Sequence, residues 1–170
     1  MAQLLSISAA ACVHASPIGP LRISADPAGR LGGLVPSGDH VQSSEGLTRE
    51  QGRLFDRTRQ QLDAYFAGHL IAFDLPLVLE GTDFQRRVWA ELLKIPLGQT
   101  ISYKQLADRL GKPTASRAVG GANGKNPLYI VVPCHRVIAA DGSLGGYGGG
   151  LDAKRTLLDL EAQATGRLLG

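Results

Sequence analysis

The chain has 170 residues, of which 44% are hydrophobic and 19% are charged. This composition is typical of a globular protein with one large domain or two small ones, and it excludes a disordered chain. No apolar stretch approaches the roughly 20 residues that span a bilayer. The net charge of +3 permits nucleic-acid binding without requiring it, and the two distant cysteines favour a reducing, cytoplasmic location over a disulfide framework.

Residues 1–80 predict a small N-terminal α/β domain. The segments "ACVHA" and "LRISA" flank the turn "SPIGP", which indicates a β-hairpin, and "GRLGGLVPS" predicts a third strand. Residues 38–46 are polar and predict a loop. Apolar residues at helical spacing predict a helix over residues 48–67, which begins with a capping box at Thr48 and stops at Gly68.

Residues 81–170 predict a mostly helical C-terminal domain. Capping boxes at Thr82 and Ser102 start two helices, and Thr114 is predicted to cap a third, "ASRAVGGAN". The second and third helices match a helix-turn-helix, a pattern that many packed helix pairs without DNA-binding function also match. Asp152 is predicted to cap a last helix, "AKRTLLDLEAQ".

The segment "NPLYIVVPCHRVI" predicts a buried strand that ends at Pro133, because proline cannot donate a hydrogen bond to a sheet. Cys134 would then lie at the mouth of the strand, next to His135 and Arg136, whose positive charge would stabilise a thiolate. The alternative is a cysteine that acts only as a small buried apolar residue. The sequence contains no paired-ligand pattern typical of zinc, so it predicts no metal site.

A nucleophilic cysteine needs a base, and the base needs an orienting group. His135 is the candidate base, although a neighbour on an extended chain points away, so contact requires a kinked turn or a bridging water. Glu161 borders the apolar face of the last helix and is the candidate orienting carboxylate; a solvated glutamate is the alternative. Arg117, the fourth residue of the segment from Thr114, is a lone cation among small residues, which suggests insertion or phosphate contact; an ordinary surface arginine is the alternative.

Several motifs in order carry a family resemblance. The segments "ISYKQLAD", "ASRAVGGAN", "NPLYIVVPCHRVI" and "GYGGGLDAKRTLLDLE" strongly resemble the O6-alkylguanine-DNA alkyltransferases, which are DNA-repair proteins consumed in one reaction. The likeness is dense over residues 82–161 and looser in "SPIGPL" and "LDAYFAG". It implies an α+β fold, with a small ribonuclease-H-like α/β N-terminal domain and a mostly helical C-terminal domain that contains the helix-turn-helix.

The resemblance also implies catalytic roles for the matching residues. Cys134 is the alkyl acceptor, His135 deprotonates it through a water, and Glu161 polarises His135. Tyr103 gives a proton to the guanine ring as the base becomes the leaving group. Asn126 braces the helix pair against the reactive segment.

Further matching residues are implied to bind DNA or the substrate base. Arg117 fills the space left by the extruded base, and Tyr147 lines the guanine pocket. Gly148 stands where some members have serine, so only its backbone can serve, and Tyr129 stands at the rim of the pocket where members often have proline. The remaining DNA-binding residues lie on or beside the helix pair: Ser102, Thr114, Ser116, Ala118 and Gly121.

The implied function is direct transfer of an alkyl group from O6 of guanine, with O4 of thymine as a further substrate, to Cys134. A base inside a duplex hides the alkyl carbon, so the nucleotide must be flipped out, here through the minor groove and with little dependence on sequence. The resemblance implies a monomer that uses no cofactor and binds no membrane. The alternatives are a non-catalytic lesion sensor of the same fold, a Cys-His-Glu hydrolase or acyl-transfer enzyme, and a sequence-specific helix-turn-helix regulator.

Overall fold

The computed structural model of the chain describes residues 10–38 and 46–166. Its first part is an antiparallel sheet of three strands in the order β1-β2-β3, followed by a long helix, so the predicted hairpin, third strand and helix are confirmed. The loop predicted over residues 38–46 lies, apart from its two ends, outside the described residues. The elements of this part are β1 (Ala10–His14), β2 (Leu21–Ala25), β3 (Leu31–Pro36) and α1 (Arg49–Phe66).

The second part is mostly helical, as predicted. Two short parallel strands, β4 and β5, pair at its centre. The third and fourth helices pack against each other across a short turn, which is the arrangement expected for the helix-turn-helix. The elements are α2 (Asp83–Leu92), β4 (Ile101–Ser102), α3 (Tyr103–Arg109), α4 (Ser116–Gly124), a 3-10 turn (Cys134–Arg136), β5 (Val137–Ile138) and α5 (Leu151–Ala164).

Three of the predicted N-caps form and two do not. The capping boxes at Thr48, Thr82 and Ser102 are all present. Thr114 does not cap α4: the Ala115 N–H still bonds back to the Lys112 carbonyl at 2.9 Å, so the chain is turning there and Ala115 becomes the N-cap. Arg117 is consequently the second residue of α4 and not the fourth of a longer helix.

The N-terminus of α5 corrects the other predicted cap. Gly150 is the N-cap, with a φ of 89°, and Asp152 lies one residue inside the helix, in its first turn. Glycine adopts this left-handed backbone at little cost, so the glycine run determines where the helix starts.

The strand predicted before Pro133 is wrong. Only Leu128 makes a bridge, to Leu34 of β3, and the chain then coils, with the Val132 N–H bonded to the Leu128 carbonyl at 2.9 Å. Ile130 has a φ of 71°, a left-handed conformation that β-branched residues rarely adopt. The apolar run reflects burial among packed elements, which periodicity cannot distinguish from a buried strand.

One continuous hydrophobic core joins the two parts of the chain. It includes Leu34 and Leu62 from the first part together with Trp89 and Val132 from the second. Backbone hydrogen bonds also join β3 to the segment before the cysteine, from Leu34 N–H to Pro127 O and from Tyr129 N–H to Leu34 O, both at 2.8 Å. No helix within residues 10–38 or 46–166 is long and apolar enough to cross a bilayer.

The two kinds of predicted cap should differ in their contribution to stability. Thr48→Ala removes a hydroxyl that accepts from the Gln51 N–H at 3.2 Å, so it should lower the free energy of unfolding by about 1 kcal/mol. Thr114→Ala, in which no cap is lost, should change it by less than about 0.5 kcal/mol. Urea denaturation of both variants measures the difference, and equal losses would contradict the assignment of Ala115 as the N-cap of α4.

Candidate active site

Cys134 lines a cavity of about 420 Å³ between α3, α4 and the glycine-rich loop before α5. The cysteine is buried, with 3% of its surface exposed, and is not displayed at an open strand mouth. The structure brings five of the sequence-predicted site residues together here. The cavity is lined by Tyr103, Gly120, Asn123, Gly124, Tyr129, Cys134, Gly146, Tyr147 and Gly148.

A 3-10 turn replaces the extended chain on which Cys134 and His135 were expected. The Arg136 N–H bonds to the Pro133 carbonyl at 3.1 Å and closes this turn. Cys134 and His135 therefore lie on a kinked turn and not on the extended chain that would direct their side chains to opposite sides.

Asn126 fixes the coil that leads to this turn. Its amide nitrogen donates to the carbonyls of Val132 at 2.7 Å and Leu128 at 3.3 Å, while its oxygen accepts from the Leu128 N–H at 2.9 Å. Because the asparagine is 3% exposed, these bonds are shielded from water. These bonds hold the coil before Cys134 in shape, and the role expected for Asn126, bracing the helix pair against the reactive segment, stays a prediction.

His135 and Glu161 form a buried pair. Nε2 of His135 lies 2.7 Å from Oε1 of Glu161, and neither side chain is exposed to solvent. A neutral imidazole facing a carboxylate through Nε2 carries its proton on that nitrogen. Nδ1 then bears the lone pair, and it has no hydrogen-bond partner among the described residues. His135 is thus oriented to accept a proton at Nδ1.

The Glu161 carboxylate also accepts hydrogen bonds from other parts of the chain. Arg136 donates from Nε to Oε2 at 2.8 Å and from Nη2 to Oε1 at 2.9 Å, Tyr65 Oη donates to Oε1 at 2.7 Å, and the Gly98 N–H donates to Oε2 at 3.2 Å. Burial alone would raise the pKa of Glu161, but His135 and Arg136 outweigh it and hold the pKa well below its usual value. Glu161 is therefore a permanent anion.

The thiol and the imidazole are both neutral at rest. Burial raises the pKa of the Cys134 thiol above its ordinary value, and the hydrogen bond from Asn126 lowers it only in part. Burial lowers the pKa of His135, and the attraction of Glu161 does not fully offset this, because Arg136 already balances the carboxylate charge. A reactive thiolate therefore has to form by proton transfer within the site.

The cation nearest the thiol differs from the predicted one. Arg136 was expected beside the thiolate, but its guanidinium bonds to Glu161 and to the Ile95 carbonyl at 2.6 Å. Lys154, which is fully buried, instead supplies the positive charge that favours ionised Cys134. Burial lowers the pKa of Lys154 to about 8.

Lys154 also fastens the glycine-rich loop. Its Nζ donates to the Val137 carbonyl at 2.6 Å and to the Leu144 carbonyl. Sequence analysis missed this residue, although Lys154, Leu157, Leu158 and Glu161 share one face of α5 at helical spacing, which could have revealed it. It also missed Asn123, which donates to the Cys134 carbonyl at 3.3 Å.

Three tyrosines surround the cavity as protonated phenols. Burial, and then the charge of ionised Cys134, raises the pKa of Tyr103, Tyr129 and Tyr147 above the ordinary value. The Tyr129 and Tyr147 rings lie 5.3 Å apart. A Cβ built on Gly148 would lie 2.0 Å from the Tyr129 hydroxyl, so the ring occupies the space that a larger residue at position 148 would need.

The predicted DNA-binding residues of the helix pair form a separate surface. Arg117, Ala118 and Gly121 are exposed at the spacing of one face of α4, and Thr114 is exposed just before it. Ser102 and Ser116 are half-buried, and the Ser102 hydroxyl is engaged as the cap of α3. The cavity-lining residues of α4, Gly120, Asn123 and Gly124, lie next to this surface, so one helix contributes to both.

The buried pair of His135 and Glu161 is not part of a group of described residues that could bind a metal ion. Among residues 10–38 and 46–166, His, Cys, Asp and Glu form no group of three or more that could hold a metal ion.

Acid should destabilise the protein through the buried pair. The pKa of folded His135 lies below its ordinary 6.5 and that of Glu161 below its ordinary 4.5, so the unfolded state binds more protons below each value. The free energy of unfolding should be highest above about pH 6.5 and fall by up to about 1.4 kcal/mol per pH unit per group as the pH drops. Urea denaturation across this range tests the sign, and His135→Gln, which cannot titrate, should show a shallower fall between about pH 6.5 and pH 5. Identical slopes in the two proteins would contradict the lowered pKa of His135.

Comparison with known proteins shows the family of the chain. The model of the family described as "6-O-methylguanine DNA methyltransferase, ribonuclease-like domain" matches residues 12–79, and that described as "6-O-methylguanine DNA methyltransferase, DNA binding domain" matches residues 83–163. A methylated-DNA–protein-cysteine methyltransferase of Mycobacterium tuberculosis is 51% identical over 146 residues, which are 86% of this chain and 88% of that protein. One from Mycolicibacterium paratuberculosis is 60% identical over 112 residues, 66% of this chain and 68% of that protein.

A solved structure shows the same fold. It is described as the crystal structure of Mycobacterium tuberculosis OGT in complex with DNA, and it superposes with a TM-score of 0.78 at 49% identity, covering 89% of this chain and 92% of that chain. The predicted α+β fold class is confirmed, and the chain belongs to the 6-O-methylguanine DNA methyltransferase family, whose members are methylated-DNA–protein-cysteine methyltransferases.

Proposed function

We propose that this protein repairs duplex DNA by moving an alkyl group from O6 of guanine to Sγ of Cys134. The observation that carries the proposal is the coincidence of this thiol with a cavity of about 420 Å³ and with a neighbouring His135–Glu161 relay. The volume lies within the range of about 300–1,000 Å³ that small-molecule sites occupy, which accommodates a single extruded base.

The chemistry follows from the protonation states at rest. Nδ1 of His135 accepts the proton of Cys134 through a water, and the Glu161 anion stabilises the imidazolium that forms. The thiolate attacks the saturated alkyl carbon, a C–S bond forms, and the C–O bond breaks with its electron pair moving into the guanine. Tyr103, a protonated phenol in the cavity, donates a proton to the ring nitrogen of the leaving base.

The product accounts for a single turnover. A thioether has no easy route to hydrolysis, unlike the thioester of an acyl-transfer enzyme. Within the part of the chain that the structure describes, no second cysteine lines the cavity to take the alkyl group over, so each protein molecule removes one lesion and is spent.

The exposed face of α4 is the proposed DNA contact. Its small residues Ala118 and Gly121 would allow a close backbone approach, and Arg117, which is exposed on the same face, would fill the space that an extruded nucleotide leaves. Contact from the minor groove gives little sequence information, which suits a protein that must repair lesions in any context. Ser102, Thr114 and Ser116 flank this surface.

The proposal also covers the range of substrates, the oligomeric state and the domain division. Tyr129 narrows the cavity beside Tyr147 and Gly148, so small adducts should be transferred more readily than bulky ones. O4-alkylthymine is the further proposed substrate. We also propose a monomer without cofactor, divided at residues 80 and 81, that works in the reducing cytoplasm where Cys134 stays a thiol.

The acceptor assignment can be tested with the two cysteines of the chain. Incubation with duplex DNA containing O6-methylguanine should add one methyl group per protein molecule, located on the Cys134 peptide by mass spectrometry. Cys134→Ala should abolish transfer, because no other cysteine lines the cavity among the described residues. Cys12→Ala, a buried cysteine in β1, is the matched control and should transfer normally.

Three outcomes would overturn the assignment. Transfer that persists in Cys134→Ala would exclude Cys134 as the acceptor. Methyl release over many turnovers would instead indicate a Cys-His-Glu hydrolase, and binding of the lesion without any transfer would indicate a sensor. An O4-methylthymine duplex in the same assay tests the further substrate.

The role of Arg117 can be tested by comparing duplex and single-stranded substrates. Arg117→Ala should slow transfer from a duplex by about 10-fold or more, since holding a flipped base offsets an unstacking cost of a few kcal/mol. Transfer from a single strand, where nothing needs to be displaced, should change far less. Arg53→Ala, an exposed arginine on α1, removes the same charge and should affect neither rate. Equal slowing on both substrates would show that Arg117 contributes only phosphate attraction.

A further inference from the structure

The relay carboxylate has a hydrogen-bond donor from the opposite end of the chain. Tyr65, near the end of α1, is 1% exposed, and its hydroxyl donates to Glu161 Oε1 at 2.7 Å across a separation of 96 residues. The ring is held in an aromatic cluster, with ring centroids 5.3 Å from Phe66 and 5.5 Å from Phe73. The Tyr65 ring is therefore packed against two other aromatic rings.

Tyr65 bonds to the same oxygen as the candidate base. Oε1 lies 2.7 Å from His135 Nε2, 2.7 Å from Tyr65 Oη and 2.9 Å from Arg136 Nη2. Each donor withdraws part of the negative charge that the imidazole ring faces. The strength with which Glu161 attracts a proton on His135 consequently depends on how many donors share Oε1.

We propose that Tyr65 is a positioning residue through which the N-terminal part of the chain sets the basicity of His135 and fixes the orientation of its carboxylate partner. The inference rests on the proposed function, in which His135 is the base that activates Cys134. It assigns to α1 a role in the reaction, although α1 contributes no residue to the cavity.

The physical reason for such a device is that a base must be unprotonated before it can act. Bare Glu161 in a buried site would stabilise the imidazolium strongly and raise the pKa of His135, so that the ring would be protonated at rest. Tyr65 and Arg136 moderate the carboxylate, and burial then keeps the imidazole neutral. Glu161 still stabilises the imidazolium once the thiol proton arrives.

Every charged or titratable group around His135 enters this balance. Burial lowers the pKa of His135, Glu161 raises it, and the cations of Arg136 and Lys154 lower it. Burial and Glu161 raise the pKa of Tyr65 well above its ordinary value, so the phenol remains a donor at all working pH values. Without the Tyr65 hydroxyl, Glu161 attracts a proton on His135 more strongly, so the pKa of His135 should rise.

The test uses Tyr65→Phe, which removes one oxygen and retains the ring. The rate constants for methyl transfer from DNA and for iodoacetamide modification of Cys134 are measured against pH, the second by mass spectrometry. Both rates should fall as acid protonates His135, and in Tyr65→Phe this acid limb should lie at higher pH by about one unit, because a hydrogen bond to a charged group is worth roughly that much. Titration of the His135 ring by NMR gives the same pKa directly.

Phe73→Leu is the matched control. It removes a ring that packs against Tyr65 and leaves the hydroxyl in place, so it should lower stability without moving the acid limb. Urea denaturation of both variants confirms that each is folded at the pH values compared.

The outcomes separate this inference from the proposed function. If Tyr65→Phe lowers both rates by one factor at every pH, or leaves them unchanged, the hydroxyl is only structural and the inference is overturned. A different result would be that iodoacetamide modifies Cys134 and that Tyr65→Phe shifts the acid limb as expected, while no methyl group is ever transferred from DNA. The inference would then stand and the proposed function would fail.

Discussion

The buried carboxylate of Glu161 is the constraint on which the rest of the site depends. An ionised carboxylate without water costs several kcal/mol unless it is fully hydrogen-bonded. Here it accepts five hydrogen bonds from four residues, Tyr65, Gly98, His135 and Arg136. These donors come from α1, the loop before β4 and the 3-10 turn, so satisfying one side chain of α5 requires all of these segments to meet at one point. The relay geometry and the tertiary fold are therefore specified by the same interaction.

The buried ammonium of Lys154 is a second charge that links several segments around the thiol. Lys154 is a buried cation on α5, and its ammonium is satisfied by carbonyls at Val137 and Leu144. It thereby holds the glycine-rich loop over the cavity while placing positive charge near Cys134. Lys154 and Glu161 lie on one helix, so α5 positions both the His135–Glu161 pair and the glycine-rich loop that lines the cavity. A shift of this helix would disturb both.

What the sequence could predict depended on how local the interaction is. The capping boxes at Thr48 and Thr82 formed because their partners lie three residues away, and the inward direction of Glu161 followed from helical spacing. The buried strand predicted to end at Pro133 does not form, because an apolar run reports burial and not the coil that Asn126 imposes through its side chain. The hydrogen bond between Tyr65 and Glu161 joins residues that are 96 positions apart in the chain. No local sequence pattern indicates it, so only the folded chain reveals it.

Burial gives the thiol a property that suits a protein spent by one reaction. Cys134 with a raised pKa is a poor nucleophile toward reagents in solution, because the thiolate and not the thiol attacks. A cysteine that was permanently ionised, as the expected neighbouring Arg136 would have favoured, would react with any small electrophile and be lost. In the observed arrangement the Arg136 guanidinium pairs with Glu161 instead of with the thiol. Under the proposed function, the buried thiol of Cys134 would stay neutral at rest and would become reactive only when His135 takes its proton in the cavity that receives the substrate base.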